Sequence, residues 1–250
     1  MIQSEYINEL VNRLNLVLQK KLISLYIIGS TSFGDYIENR SDIDVFGITN
    51  SSLTTFEKDQ LEKILNETKK SCLAAGLDIV LMTKQNVEVI KNKPSYEFWF
   101  STGMNWPEER WSEGSSTEML ILIELCRQNG IKIYESEQSI NFQKVDSKLI
   151  LNALKQILHW QMGYLLDDFH DPKGQNSVLN ACRILQYIET NRFHSKTNGG
   201  KQFLIREPSN LTVQKALRIR QNNSTENITE EEILRLIKQV ERRIDQALSK

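Results

Sequence analysis

The segment LYIIGSTSFGDYIENRSDIDVFGIT, residues 25–49, constrains the fold more than any other stretch of the chain. It reads as an apolar strand, a small-residue turn at Gly29 and Ser30, a polar connector and a second apolar strand. The second strand opens with Asp42 and Asp44. Because side chains two apart on a strand share a face, we expect both carboxylates to point the same way.

These residue types suit the binding of a phosphate group beside a metal ion. Two neighbouring carboxylates repel each other, and a divalent cation such as Mg²⁺, which prefers hard oxygen ligands, removes that penalty. Gly29 lets the backbone approach a ligand, while Ser30 offers a hydroxyl and an N–H group to phosphate. A Gly-Ser turn or an Asp-x-Asp pair alone is usually structural. The two together indicate chemistry on a nucleoside triphosphate, and Ser41, next to Asp42, joins the predicted nucleotide-binding residues.

Composition excludes several other classes of protein. The 250 residues carry 31 basic and 32 acidic side chains, for a net charge of -1, so no basic excess indicates nucleic-acid binding. Three widely spaced cysteines fit neither a disulfide framework nor a zinc site. The N-terminus is unlike a signal peptide, and no apolar run approaches transmembrane length. We therefore expect a cytoplasmic protein with no membrane or nucleic-acid partner; the oligomeric state stays open.

Hydrophobic periodicity predicts a mixed N-terminal region. The predicted helices cover residues 4–20, 54–75 (opened by a capping box of Thr54 and Glu57 and stopped by Gly76) and 117–129. The predicted strands cover residues 22–28, 42–48, 77–82 and 131–134. Residues 94–116 show no period and hold three of the four tryptophans, which predicts a long loop.

The rest of the chain has helical patterns only. A link at residues 139–146 separates a predicted domain of residues 1–143 from one of residues 144–250. The second domain is expected to contain helices over 150–166 and 176–191, and a last helix capped by Thr229 and Glu232. The apolar stripe of that last helix indicates the core of a small bundle, although a coiled-coil surface is the alternative.

Asp78 interrupts the apolar strand predicted at residues 77–82. A carboxylate in a buried strand is costly unless a partner satisfies it. Pairing with a lysine, or exposure at the strand end, would account for it structurally; a functional role is the alternative.

Gly29-Ser30, followed by Gly34 and then Ser-Asp-Ile-Asp, resembles the signature of the nucleotidyltransferase superfamily that includes DNA polymerase beta. Within it, the chain resembles the aminoglycoside adenylyltransferases that modify streptomycin and spectinomycin. Later segments carry this narrower resemblance: Pro94, Glu97, Gly103 and Trp106 in order, the helix from Asn176 to Arg183, and the step Ser195-Lys196. It implies an α+β fold, with a nucleotidyltransferase domain whose mixed sheet is flanked by helices, followed by an all-helical bundle domain.

The resemblance also implies roles for individual residues. Asp42, Asp44 and Asp78 would be the catalytic residues and the ligands of two Mg²⁺ ions. Where relatives that modify streptomycin have a glutamate, this chain has the shorter Asp78, as general base, metal ligand or both. Lys196 corresponds to a lysine that reaches the triphosphate across a cleft between the domains.

The acceptor contacts implied by the resemblance are less specific. Trp106 would pack on the acceptor, or else close the gap between domains, and Glu97 would hydrogen-bond to it. Relatives that bind streptomycin have an acidic Asp-Glu just before the asparagine of the helix, where this chain has Lys173-Gly174-Gln175, and the change works against a polycationic acceptor. Asp168 and Asp171, nearby, would restore negative potential.

The predicted function is transfer of AMP from ATP to a hydroxyl of a small-molecule acceptor, an aminoglycoside or spectinomycin-type antibiotic, with release of pyrophosphate. One alternative is adenylylation of a hydroxyl on a protein, as in toxin-antitoxin nucleotidyltransferases, or on another metabolite. A second alternative is a nucleotide-binding regulator that has lost catalysis.

Overall fold

A computed structural model describes residues 4–72, 74–103, 109–111, 113–166, 171–222 and 224–250 of the protein. The chain divides into two compact units, Met1–Val145 and Asp146–Lys250. In its described residues the first unit combines a sheet with helices, and the second contains helices without strands. The α+β class predicted from the sequence is confirmed.

The described part of the first unit contains five α-helices and eight strands. Its helices are α1 (Ser4–Leu18), α2 (Gly29–Ser32), α3 (Thr55–Thr68), α4 (Lys84–Glu88) and α5 (Glu118–Asn129), with 3-10 turns at Gln19–Lys21 and Lys69–Ser71. Its strands are β1 (Leu22–Ile28), β2 (Ile43–Thr49), β3 (Gly76–Thr83), β4 (Ser95–Tyr96), β5 (Phe98–Gly103), β6 (Glu109–Trp111), β7 (Gly114–Ser115) and β8 (Ile131–Glu135).

Six of these strands form one mixed sheet in the order β6-β5-β3-β2-β1-β8, and β4 pairs with β7 in a separate ribbon. Strands β2 and β3 are parallel, and the other neighbours in the sheet are antiparallel. A parallel pair needs a crossover connection, which α3 provides here. The starting ends of β2 and β3 therefore lie side by side.

Helices α1 and α3 cover one face of the sheet with an apolar core. Leu10, Leu14, Leu61 and Leu65 of these helices are fully buried, and they pack against Ile27, Ile43, Val45, Leu77 and Ile79 of the central strands. The residues that alternate with these along β2 and β3, among them Asp44 and Asp78, point to the other face of the sheet. All seven residues of β1 are buried, so both faces are covered at that strand.

The second unit is a bundle of five helices within its described residues: α6 (Ser147–Met162), α7 (Gln175–Thr190), α8 (Lys196–Arg206), α9 (Leu211–Asn222) and α10 (Glu230–Leu248). Helix α7 contacts the other four. The capping box of Thr229 and Glu232 opens α10, as predicted. The predicted apolar stripe of α10 is buried over Ile233, Leu236, Ile237, Val240 and Ile244 and forms bundle core.

The prediction of a long loop over residues 94–116 is wrong, because β4, β5, β6 and β7 lie there. Strand β5 is interior to the sheet, and Phe98 and Phe100 are fully buried. Aromatic residues favour strands, but the sequence of β5 does not alternate between apolar and polar residues, because both faces of this strand carry large side chains.

The helix predicted to reach residue 75 ends at Thr68, and Gly76 begins β3 instead of stopping a helix. A Cβ atom on Gly76 would lie 2.4 Å from the carbonyl oxygen of Thr102 on β5. This glycine therefore serves the packing of the sheet.

Two further expectations concern the environment of the chain. No helix of the described residues is long and apolar enough to cross a membrane. The three cysteines, Cys72, Cys126 and Cys182, are all unpaired.

Candidate active site

The three carboxylates predicted from the sequence lie at the starting ends of β2 and β3. Asp44 pairs directly with Asp78 in the register of these two strands, whose axes are about 4.8 Å apart. Asp42 precedes β2 by one residue and is two residues from Asp44. The structure therefore places the segment that contains Asp42 and Asp44 beside Asp78, which is distant from it in the sequence.

Two glycines leave room for Asp42 and Asp44. Gly29, directly after β1, has a φ of +67°, and a Cβ atom there would lie 2.0 Å from Oδ2 of Asp44. A Cβ atom on Gly76 would lie 2.8 Å from Oδ1 of Asp42. Each carboxylate thus occupies space that any other residue would fill, and Gly29 has a packing role besides the predicted approach to a ligand.

The carboxyl group of Asp78 is electrostatically unusual. Burial, followed by repulsion from Asp44, holds the pKa of Asp78 well above its ordinary value, and Glu118 and Asp42 act in the same direction. The indole N–H of Trp99 donates a hydrogen bond of 2.7 Å to Oδ1 of Asp78, which lowers that pKa in part. Asp78 is therefore disposed to accept a proton.

Glu118 is a carboxylate near this site that sequence reasoning missed. It is the first residue of α5, it is half-buried, and burial raises the pKa of its side chain. An acidic residue in the first turn of a helix is common, because it interacts favourably with the helix dipole. The sequence therefore held no signal that distinguished Glu118.

The two predicted nucleotide-binding serines differ in their contacts. Ser41 is buried; its hydroxyl accepts the N–H of Ile37 at 3.0 Å, and its carbonyl accepts the N–H of Ala75 at 3.1 Å. Ser30, in α2, is half-buried, and no hydrogen bond joins its hydroxyl to another described residue. Ser41 thus ties the connector to the start of β3, and a nucleotide-binding role stays a prediction for both.

The donor atoms at this site suit a hard divalent cation. The described residues hold no ready-made group of three or more histidine, cysteine, aspartate or glutamate side chains arranged around one point. Asp42 and Asp44 nevertheless present carboxylate oxygens, the ligands that Mg²⁺ prefers, in the space left by Gly29 and Gly76. The residues present therefore fit the predicted metal.

Glu97 lies away from the three aspartates. Its Oε1 accepts the hydroxyl of Ser52 at 3.2 Å, and its Oε2 accepts the N–H of Leu53 at 3.0 Å. Its own N–H donates to Leu81, three residues beyond Asp78 on β3, or about 10 Å along the strand. Glu97 therefore braces the loop after β2, and the structure does not bring it to the carboxylates.

Trp106 and Asp168, both predicted to contact an acceptor, lie outside the described residues. Asp171 is buried, and its two oxygens accept the N–H groups of Asn176 and Ser177 at 2.9 and 2.7 Å. These contacts cap α7 and account for Asp171 structurally, so its acceptor role stays a prediction.

Lys196 is the first residue of α8, and its Nζ donates to Oδ1 of Asn176 at 2.9 Å. The sequence assigned it to a step after a loop, and the structure places it in the first turn of a helix capped by Ser195. Its predicted contact with a triphosphate is not tested by these contacts within its own unit.

Comparisons with known proteins agree with this geometry. Residues 141–245 match the family model described as aminoglycoside adenylyltransferase, C-terminal domain. Among solved structures, the chain resembles spectinomycin adenyltransferase AAD(9) from Enterococcus faecialis, crystallised with ATP and spectinomycin. The TM-score is 0.74 at 19% sequence identity, covering 96% of this chain and 98% of that chain.

A toxin-antitoxin crystal structure with AMP-PNP matches with a TM-score of 0.30 and 18% identity, over 63% of this chain and 89% of that chain. No curated protein matches the sequence significantly.

The mixed sheet with its carboxylate-bearing strands and the helical bundle that follows it in the sequence form an α+β fold that the chain shares with AAD(9). The resemblance to aminoglycoside adenylyltransferases that the sequence indicated is confirmed as a resemblance, since residues 141–245 match the model of that family's C-terminal domain.

Replacing Gly29 with alanine should test the packing of Asp44. Gly34 has almost the same φ, +66°, but a Cβ atom there would meet nothing within 4 Å, so Gly34→Ala is a matched control. Both variants should lose about 1–2 kcal/mol of unfolding free energy from the left-handed backbone alone. Gly29→Ala should lose about 1–3 kcal/mol more, because the new methyl group displaces the carboxylate. Equal losses for the two variants in urea unfolding would contradict the packing role.

Asp78→Asn should stabilise the protein at neutral pH, by roughly 1–3 kcal/mol. Because the pKa of Asp78 is raised in the folded state, stability from this group is present at low pH and is lost as the pH rises through the folded pKa. Asparagine keeps an oxygen for Trp99 and carries no charge. Urea unfolding from acid to neutral pH should show a gain that grows with pH; a loss of stability at neutral pH would contradict the assignment.

Proposed function

We propose that the protein is an adenylyltransferase that transfers AMP from ATP to a hydroxyl of a small-molecule antibiotic and releases pyrophosphate. The observation that carries the proposal is the pairing of Asp44 with Asp78 on adjacent strands, with Asp42 beside them and Gly29 against Asp44. The family match over residues 141–245 and the fold shared with AAD(9), which was crystallised with ATP and spectinomycin, support it.

Asp42 and Asp44 are the residues that would hold Mg²⁺, as two ions with Asp78 contributing to the site. Held by these carboxylates, Mg²⁺ would supply positive charge against the triphosphate and Lewis-acid polarisation of the phosphoryl group. Gly29 and Ser30, in the turn against Asp44, are proposed to approach the phosphates, Gly29 because it has no side chain and Ser30 through its hydroxyl. Ser41 holds the connector that presents Asp42.

Asp78 acts as the general base. Its carboxylate takes the proton of the acceptor hydroxyl, whose oxygen forms a bond to the α-phosphorus of ATP. The bond from that phosphorus to the bridging oxygen of the β-phosphate breaks, and pyrophosphate leaves with the electron pair. A base works best when its pKa is near the working pH, and burial beside Asp44 moves the pKa of Asp78 in that direction.

The acceptor that we propose is of the spectinomycin type rather than the streptomycin type. Lys173 places a cation where relatives that bind streptomycin carry acidic residues, and its Nζ donates to the carbonyl of Ser224 at 3.1 Å. A cation there disfavours a polycationic acceptor. Trp106 and Asp168 stay candidates for acceptor contacts, whereas Glu97 and Asp171 have the structural contacts described above.

The proposed function and its two alternatives can be separated by identifying the molecule that receives a label from ATP. Incubation with Mg²⁺ and ATP labelled at the α-phosphate, with antibiotics and separately with lysate proteins, separates them. Label on spectinomycin supports the proposal, and label on a protein or another metabolite supports the alternative acceptor. No transfer with any acceptor would indicate a nucleotide-binding regulator. Reaction with ATP and three unpaired cysteines suit the cytoplasm, which we propose as the location.

Asp44→Asn should reduce the magnesium-dependent release of pyrophosphate, measured with ATP and spectinomycin, by at least about a hundredfold. The reason is that the variant lacks the carboxylate charge that would hold Mg²⁺ and so stabilise the transition state. The far-ultraviolet circular dichroism spectrum should not change. Asp245→Asn, which removes an exposed carboxylate paired with Lys155 in the other unit, is the control and should keep full activity. Near wild-type turnover by Asp44→Asn would exclude the metal-site assignment.

Lys196→Gln should raise the KM for ATP by roughly tenfold, the effect of removing one charge-assisted contact to phosphate. Lys201→Gln, an exposed lysine on the same helix α8, is the control and should leave that KM unchanged. Steady-state kinetics with ATP varied at saturating acceptor measure both. An unchanged KM in Lys196→Gln would assign Lys196 to its structural bond with Asn176.

A further inference from the structure

Trp99 reaches Asp78 across a diagonal of the sheet. In the antiparallel register of β3 and β5, Trp99 is opposite Val80, and Asp78 is opposite Ser101. Residues opposite each other share a face, and diagonal neighbours are about 7–8 Å apart, a gap that a long aromatic side chain can span. The indole Nε1 lies 2.7 Å from Oδ1 of Asp78 and donates the single hydrogen bond that Asp78 receives from the described residues.

The indole ring of Trp99 is held on two sides. Tyr96 contacts it edge-on, with ring centroids 5.7 Å apart and an angle of 89° between the planes. Trp111, directly opposite on β6, lies with its centroid 5.0 Å away. Aromatic contacts of this kind stabilise a ring in one orientation. The donor N–H is therefore fixed in direction before any ligand binds.

Strand β6, which carries Trp111, is anchored to α3 by charge. Arg110 of β6 forms ion pairs with Asp59 and Glu62 of α3, and its guanidinium lies over the ring of Phe98. The position of Trp111 against Trp99 is therefore supported by the ion pairs between Arg110 and α3 and by the contact of Arg110 with Phe98.

Asp78 needs such a fixed donor because Asp44 occupies the directly paired position on β2. Two carboxylates on paired positions of neighbouring strands repel each other. Repulsion from Asp44 on the paired position would turn the Asp78 side chain away, and a hydrogen bond from a neutral donor to a carboxylate opposes that rotation.

We propose that Trp99 is a positioning residue: its indole N–H holds one oxygen of Asp78, so that the other oxygen is free to take the proton of the acceptor hydroxyl. The inference rests on the proposed role of Asp78 as the base. Trp99 itself does not touch the reacting atoms. Sequence reasoning placed it in a predicted loop and selected Trp106 instead.

Trp99→Phe and Trp111→Phe form a matched pair, because both remove an indole from the same stack and only the first removes the donor to Asp78. Trp99→Phe should lower kcat by about tenfold to a hundredfold, the range for a hydrogen bond to a charged group, with both KM values within about twofold. Trp111→Phe should change kcat by less than about threefold, since it alters only ring packing. Equal kcat values for the two variants would overturn the proposal.

A second measurement tests the hydrogen bond without catalysis. The four tryptophans give four indole N–H signals in a ¹H–¹⁵N spectrum, and the signal missing in Trp99→Phe identifies Trp99. That signal should exchange slowly with solvent, and Asp78→Ala should shift it and accelerate its exchange while the Trp160 signal, from the other unit, stays in place. A Trp99 signal insensitive to Asp78→Ala would overturn the positioning role even if Trp99→Phe folded poorly.

The two proposals fail in different ways. If wild-type protein transfers no AMP to any acceptor, the proposed function fails, while the spectrum still decides whether Trp99 holds Asp78. If wild-type protein is active and Trp99→Phe retains full kcat, the adenylyltransferase assignment stands and the positioning role is wrong.

Discussion

The pairing of Asp44 with Asp78 on two parallel strands is the contact around which the first unit is built. Two like charges on directly opposite positions destabilise a sheet, and their partial burial increases the repulsion. A sheet that retains such a pair has a site that gains free energy when it takes up a cation or a proton. The proposed chemistry on a triphosphate would require such a gain, because a triphosphate brings further negative charge that a cation offsets.

The rest of the unit tolerates this repulsion through its core and its glycines. Strand β1 is buried over its whole length, and α1 and α3 cover the opposite face of the sheet with leucine side chains. Gly29 and Gly76 remove the atoms that would otherwise collide with Asp44 and Asp42. Buried apolar side chains lie on both faces of the sheet, among them Phe46 and Val80 on the face of Asp44 and Asp78, so the unfavourable arrangement of charges is confined to the starting ends of β2 and β3.

The sequence patterns predicted the structural features that depend on residues close together in the chain. The bounds of β1 follow from local alternation and are found in the structure, whereas the shared face of Asp42 and Asp44 stays a prediction, because Asp42 precedes β2. Strand β5 was missed, because its aromatic residues are buried by pairing with β3, a partner about twenty residues away. Trp99 and Glu118 were missed for the same reason: they meet Asp78 only through the register of the folded sheet and the position of α5.

The length of Asp78 explains why β5 matters to the site. The family resemblance indicated by the sequence implies a glutamate at this position in relatives that modify streptomycin, and the extra methylene group of a glutamate would let the carboxyl group reach away from its strand. An aspartate keeps its carboxyl group close to the backbone and close to Asp44, where repulsion governs its orientation. The indole of Trp99, set by Tyr96 and Trp111, gives the shorter side chain a fixed direction. The orientation of Asp78 therefore depends on an aromatic strand as well as on the acidic residues around it.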